Sequence, residues 1–120
     1  MEPAGLRQPE PPGNRAQAYY PGNRYVDVVA NDLYEIGGKA GWAANERLYR
    51  AHPGKPYAFA EWGLWGIDDP AFVRRMGGWA RTHRRLELLA WFESRPGSIF
   101  DLATKPRSRA AYRRYITPLG

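Results

Sequence analysis

Three short stretches place a carboxylate beside aromatic rings: Asn31-Asp32-Leu33-Tyr34, Glu61-Trp62-Gly63-Leu64-Trp65-Gly66 and Trp91-Phe92-Glu93-Ser94. Carboxylates can move protons or attack an electrophilic carbon, and tryptophan faces hold flat apolar surfaces such as a pyranose ring. Glycosidic bonds are cleaved by carboxylate pairs, so the combination suits a carbohydrate ligand. The middle stretch is the densest. Lys55-Pro56-Tyr57-Ala58-Phe59-Ala60 is a short apolar run that ends in Glu61 and is followed at once by Trp62 and Trp65. An unpaired ion at the end of a buried strand is costly, so a site is one explanation. A strand that simply ends at a solvated glutamate is the other.

The residues narrow the alternatives. There is no cysteine, so no disulfide framework and no thiolate metal site can form. His52 and His83 fall in different segments, which argues against a histidine metal site. No glycine-rich phosphate loop follows a strand, and no Gly-x-Ser-x-Gly elbow is present, so neither a nucleotide site nor a serine hydrolase is expected. Neither a cofactor nor a metal is called for. No apolar run reaches the length of a membrane span, and residues 1–18 lack the apolar core of a signal peptide. That leaves the location open. The net charge is +6, and arginine dominates lysine. The arginines are scattered, with pairs at Arg74-Arg75, Arg84-Arg85 and Arg113-Arg114. A solvated basic surface is the expectation, with no nucleic-acid or membrane partner.

The elements that must position these residues can be read in order. Residues 1–18 are rich in Pro, Gly, Gln and Arg and read as a disordered leader. Pro21-Gly22 turns the chain. Tyr25 to Asn31 reads as a first strand ending in the polar cluster Asn31 to Tyr34, with a loop at Gly37-Gly38 and a helix from Ala40 to Arg50. A second strand spans Pro56 to Ala60. Asp69 caps the next helix with Pro70 at its first position, and Phe72, Val73, Met76, Trp79 and Ala80 share one face. Gly77-Gly78 weakens that helix and implies close packing there. A third strand covers Leu86 to Phe92, and Ser108 caps a last helix. Strands start about 30 residues apart, each followed by a helix, so the chain is an α/β protein with three consecutive βα units. In such folds functional groups gather at the carboxyl ends of strands, and here all three ends are aromatic and acidic.

The order and spacing of Tyr20-Pro21-Gly22-Asn23-Arg24-Tyr25-Val26-Asp27-Val28-Val29, Asn31-Asp32-Leu33-Tyr34 and Lys55-Pro56 through Glu61-Trp62-Gly63 resemble the C-terminal part of glycoside hydrolase family 26. This is the β-mannanase family, whose catalytic domain is a (β/α)₈ barrel. The resemblance covers about residues 19–116 and implies that residues 19–120 are strands six to eight of such a barrel, incomplete at the front. It implies a retaining mechanism with Glu61 at the nucleophile position and Tyr34 as the tyrosine that hydrogen-bonds it. Asp32 matches a polar position near the sugar cleft, and Trp91 an aromatic platform under the sugar. Trp62 and Trp65 are candidate cleft-lining residues by their place in the chain.

The departure from the family is as informative. A whole barrel needs about 250 residues. Strand four, which carries the general acid/base in the family, has no counterpart here, and neither Glu93 nor Asp32 lies at its position. The expectation is a segment of a retaining enzyme acting on a β-1,4-linked polysaccharide such as mannan, inactive alone and completed by an N-terminal barrel segment. A non-catalytic carbohydrate-binding remnant is the second reading. A basic nucleic-acid-binding protein is a distant third.

Overall fold

The computed structural model describes residues 27–120. The expected leader at 1–18, the Pro21-Gly22 turn and the start of the first expected strand lie outside these residues. Three strands alternate with three helices: β1 (Val29–Glu35), α1 (Trp42–Ala51), β2 (Tyr57–Leu64), α2 (Pro70–Thr82), β3 (Leu86–Trp91) and α3 (Pro106–Tyr115). Short 3-10 turns at Leu102–Thr104 and Thr117–Leu119 flank the last helix. The strands form one parallel sheet in the order β1-β2-β3. The α/β class and the three βα units expected from the sequence are what the chain forms.

All three helices pack on the same face of the sheet. Tyr57 Oη donates to Asn45 Oδ1 of α1 at 2.7 Å. Phe59 meets Trp79 of α2 edge to face at 5.3 Å, and Trp62 stacks with Tyr112 of α3 at 6.0 Å. Val29, Leu33, Tyr57, Phe59, Trp62 and Leu64 supply the sheet side of this core, and Phe72, Val73, Met76 and Trp79 the α2 side. Met76 and Trp79 are packing residues, as their helical spacing predicts.

The boundaries move in an instructive way. β1 starts at Val29, whose N–H donates to the Pro56 carbonyl at 3.0 Å, and it continues through the stretch read as a polar terminus. Leu33 and Glu35 face the helices while Asp32 and Tyr34 take the opposite face, so the polar residues mark strand alternation, not strand end. β2 likewise runs on past Ala60 to Leu64 and contains Glu61.

Two helix starts show how the units are joined. Asp69 Oδ1 accepts from the amides of Ala71 and Phe72 at 3.1 and 3.4 Å, with Pro70 at the first position, as expected. Ser108, read as a cap, instead lies buried inside α3. Asp68 does the capping from a distant point in the chain. It accepts from the Ser108 amide at 2.8 Å, the Ser108 hydroxyl at 2.5 Å and the Arg107 amide at 3.3 Å. Burial raises the Asp68 carboxyl, but these bonds outweigh it and hold it below the usual carboxylate range. A side chain at Gly77 would put its Cβ 2.9 Å from both the Cβ and the carbonyl oxygen of Tyr115, so this glycine lets α2 and α3 touch.

Candidate functional site

The face of the sheet opposite the helices carries the carboxylates, and one irregularity puts Glu61 there. In β2, Tyr57 and Phe59 point into the helix layer, and strict alternation would send Glu61 after them. Instead the β1–β2 register shifts: Asn31 pairs with Phe59, and Asp32 pairs with Glu61, leaving Ala60 as the extra residue of a bulge. Trp62 and Leu64 then take the helix side and Glu61 and Gly63 the open side. A second shift between Phe59 and Trp62 matches the same bulge against β3.

On the open side, Tyr34 Oη donates to Glu61 Oε1 at 2.5 Å, across the β1–β2 pair. Such a short O–H···O bond to a carboxylate fixes its orientation. The tyrosine ring can lie over β2 because its register partner is Gly63: a Cβ there would stand 3.5 Å from the Tyr34 ring and 3.4 Å from the Phe92 carbonyl. Asp32 sits directly opposite Glu61 in the register, two residues before Tyr34 on the same face. Adjacent strands are about 4.8 Å apart, so two acidic side chains and a phenol share one small area.

Aromatic rings frame this group. Tyr34 meets Trp65 at 5.5 Å, Phe100 at 5.8 Å and Phe92 at 6.1 Å, each edge to face. Trp65 also touches Phe100 at 5.0 Å and keeps 45% of its surface exposed. The loop after β3 brings Phe100 here. The Gly66 amide donates to the Ile99 carbonyl at 3.0 Å, and Lys105 Nζ donates to the same carbonyl at 2.5 Å. Asp101 braces the loop from within by accepting from the amides of Gly97 and Ala103 at 2.7 and 2.9 Å. Those two bonds are the main reason its carboxyl is held below the usual range.

The structure therefore gathers Asp32, Tyr34, Glu61 and Trp65 and separates the other two candidates from them. Trp62 is fully buried between Phe72, Trp91 and Tyr112, on the helix side of the sheet. It is a core residue and lines no cleft; the bulge that turns Glu61 outward turns its neighbour inward. Trp91 follows the same parity. It packs on Trp62 at 4.9 Å and on Tyr112 at 5.8 Å, away from Glu61. Glu93 accepts from the Trp91 indole at 2.7 Å and the Leu102 amide at 3.0 Å, which makes it a brace for the following turn. Phe92 and Phe100 stand where the third strand end was expected to offer Trp91. Counting alternation from Leu89, which packs partly buried against the core, would have placed Phe92 on the open face; Phe100 lies in a loop with no periodic signal.

A further carboxylate carries no signal in the sequence. Glu35 ends β1 on the helix side, 6% exposed, with Oε1 lacking a hydrogen-bond partner among the described residues. Burial, then the hydrogen bond and negative charge of Asp69, push its carboxyl up to about 7, against the opposing pull of Arg75. Among the described residues no cluster of three or more His, Asp or Glu side chains could hold a metal ion, and no helix is long and apolar enough to cross a membrane. No known protein family and no curated protein matches the chain in sequence.

Proposed function

We propose that this chain is the C-terminal segment of a retaining glycoside hydrolase of the β-mannanase type, with Glu61 as its nucleophile. The observation that carries the reading is the Tyr34–Glu61 hydrogen bond, 2.5 Å long and formed across neighbouring parallel strands at their carboxyl ends. In the reaction, a Glu61 carboxylate oxygen bonds to the anomeric carbon as the glycosidic C–O bond breaks, and the leaving oxygen takes a proton from a general acid. Water then hydrolyses the ester. The Tyr34 hydroxyl holds the Glu61 carboxylate through Oε1. Asp32 positions sugar hydroxyls beside the nucleophile, and Trp65 offers a face for the next ring.

The retaining mechanism needs a second carboxyl roughly 5–5.5 Å from the first. In this reading it comes from an N-terminal barrel segment that pairs with the outer edges of β1 and β3. Parallel strands are ordinarily covered on both faces, and no described helix packs on the Glu61 face. Calorimetric titration of the full chain with β-1,4-linked mannohexaose tests the glycan reading. Saturable binding, lost in Trp65→Ala and retained in Glu61→Gln, is expected. A cooperatively folded protein that takes up no heat from mannohexaose, cellohexaose or xylohexaose overturns it. The second reading, a binding remnant without chemistry, rests on the exposed Trp65; it predicts the same titration but no covalent chemistry at Glu61.

A further inference from the structure

The arginines that look scattered along the sequence are gathered by the fold. α2 reads Pro-Ala-Phe-Val-Arg-Arg-Met-Gly-Gly-Trp-Ala-Arg-Thr and α3 Pro-Arg-Ser-Arg-Ala-Ala-Tyr-Arg-Arg-Tyr, and neither contains an acidic residue. The two helices touch where Gly77 meets Tyr115. Arg75 lies over the Trp42 ring of α1 at 4.7 Å, and Arg107 neighbours the Asp68 carboxylate. Arg74, Arg81, Arg109, Arg113 and Arg114 remain, all exposed. None forms an ion pair among the described residues, where both carboxylate pairs belong to Glu46 of α1. Arg74 and Arg114 come from different helices yet approach one Tyr115 ring, at 5.9 and 5.4 Å from its centroid. Their guanidinium carbons therefore lie within about 11 Å of each other, with no acidic side chain of either helix to neutralise them.

We propose that the outer face of α2 and α3 binds nucleic acid through its phosphodiester backbone, without reading bases. Guanidinium forks match phosphate oxygens bidentately, and a row of them releases counterions from a polyanion. The chemistry of the face selects this partner over two others. The large hydrophobic side chains exposed among the described residues are Ile36, Trp65, Leu88, Ile99 and Leu119, and none lies on α2 or α3. A bilayer needs apolar side chains to insert, and a protein interface needs an accessible anchor at its centre, where the one ring of this face, Tyr115, is partly buried and lies against two guanidinium groups. Phosphate-backbone binding needs neither. The face points away from the Glu61 side of the sheet, so this inference is independent of the glycan reading.

The test is fluorescence anisotropy with a labelled DNA duplex of about 20 base pairs, repeated between about 50 and 200 mM salt. Expected is binding that weakens steeply with salt. Arg74→Gln/Arg113→Gln/Arg114→Gln weakens it at least about tenfold and lowers the salt slope by about one per arginine removed. Arg95→Gln, in the loop after β3, leaves both unchanged. All these positions are exposed, and a far-UV spectrum checks that the variants stay folded. No binding at the lowest salt overturns the proposal, and so does binding unaltered by the triple substitution. Equal affinity for phosphatidylglycerol vesicles or polyglutamate overturns the choice of nucleic acid.

Discussion

Glu61 and Glu35 both stand near the carboxyl end of a parallel strand, and they live in opposite environments. Glu61 faces away from the helices, is partly exposed, and holds a 2.5 Å bond from Tyr34. Glu35 faces the helices, is 6% exposed, and lies close to the Asp69 carboxylate that caps α2. The tryptophans divide the same way: Trp65 is 45% exposed beside Tyr34, while Trp62 is fully buried under α2 and α3. Residue type at a strand end does not determine its job; the face it takes does. One extra residue in β2 decides which face that is.

Substitutions on the helix side of the sheet have the largest expected cost. Trp62→Ala removes a fully buried ring from the middle of the core and is expected to cost about 3–5 kcal/mol in a denaturant melt. That is a large part of the stability of a small domain. Trp65→Ala on the open face should change stability by about 0.5 kcal/mol or less. Equal losses for the two would mean that the open face is packed like the helix face.

The adjacent glycines of α2 give a second contrast. Gly77→Ala forces a Cβ to within 2.9 Å of Tyr115 backbone and side chain, at a cost of about 1–3 kcal/mol. Gly78→Ala meets nothing within 4 Å and should stabilise the helix by about 0.5–1 kcal/mol. Melting both variants checks whether α2 and α3 touch at Gly77.

The pH dependence sharpens the carboxylate contrast. Glu35 is raised from 4.5 to about 7 on folding, so between these values the folded state holds more protons than the unfolded one. Its contribution to stability is therefore full below about 4.5 and is lost as pH rises to about 7. Glu35→Gln should remove that loss, raising the melting temperature at pH 8 relative to the wild type and much less at pH 5. Tyr34→Phe deletes one partly exposed hydrogen bond and should cost about 0.5–1.5 kcal/mol in the same melt.

Much of this is legible in the amino-acid sequence. Three apolar runs with helices between them specify the βα repeat, and the Asp69-Pro70 start and the Phe72-Val73-Met76-Trp79 face of α2 follow from local rules. The resemblance pairs Tyr34 with Glu61, and a hydrogen bond joins them. What local rules miss is whatever depends on another part of the chain. Asp68 caps a helix that begins nearly forty residues later, a partner that local rules, which point to Ser108, do not reach. The bulge at Ala60 leaves no mark in composition, and without it the parity of Trp62 comes out wrong. The place of Trp91 in the chain does not reveal that its register partner is Trp62, deep in the core. The arginines needed the α2–α3 contact to become one surface.

The most direct test of Glu61 as nucleophile is to treat the full chain with 2,4-dinitrophenyl 2-deoxy-2-fluoro-β-mannobioside and weigh the intact protein. Dinitrophenolate leaves without acid assistance, so the labelling needs no general acid. A Glu61 oxygen would bond to the anomeric carbon as dinitrophenolate departs, and the fluorine slows hydrolysis of the ester. The account predicts one added fluoroglycosyl unit, mapped by peptide fragmentation to Glu61 and absent in Glu61→Gln. A folded protein that binds mannohexaose yet gains no mass, or carries the label elsewhere, would contradict it.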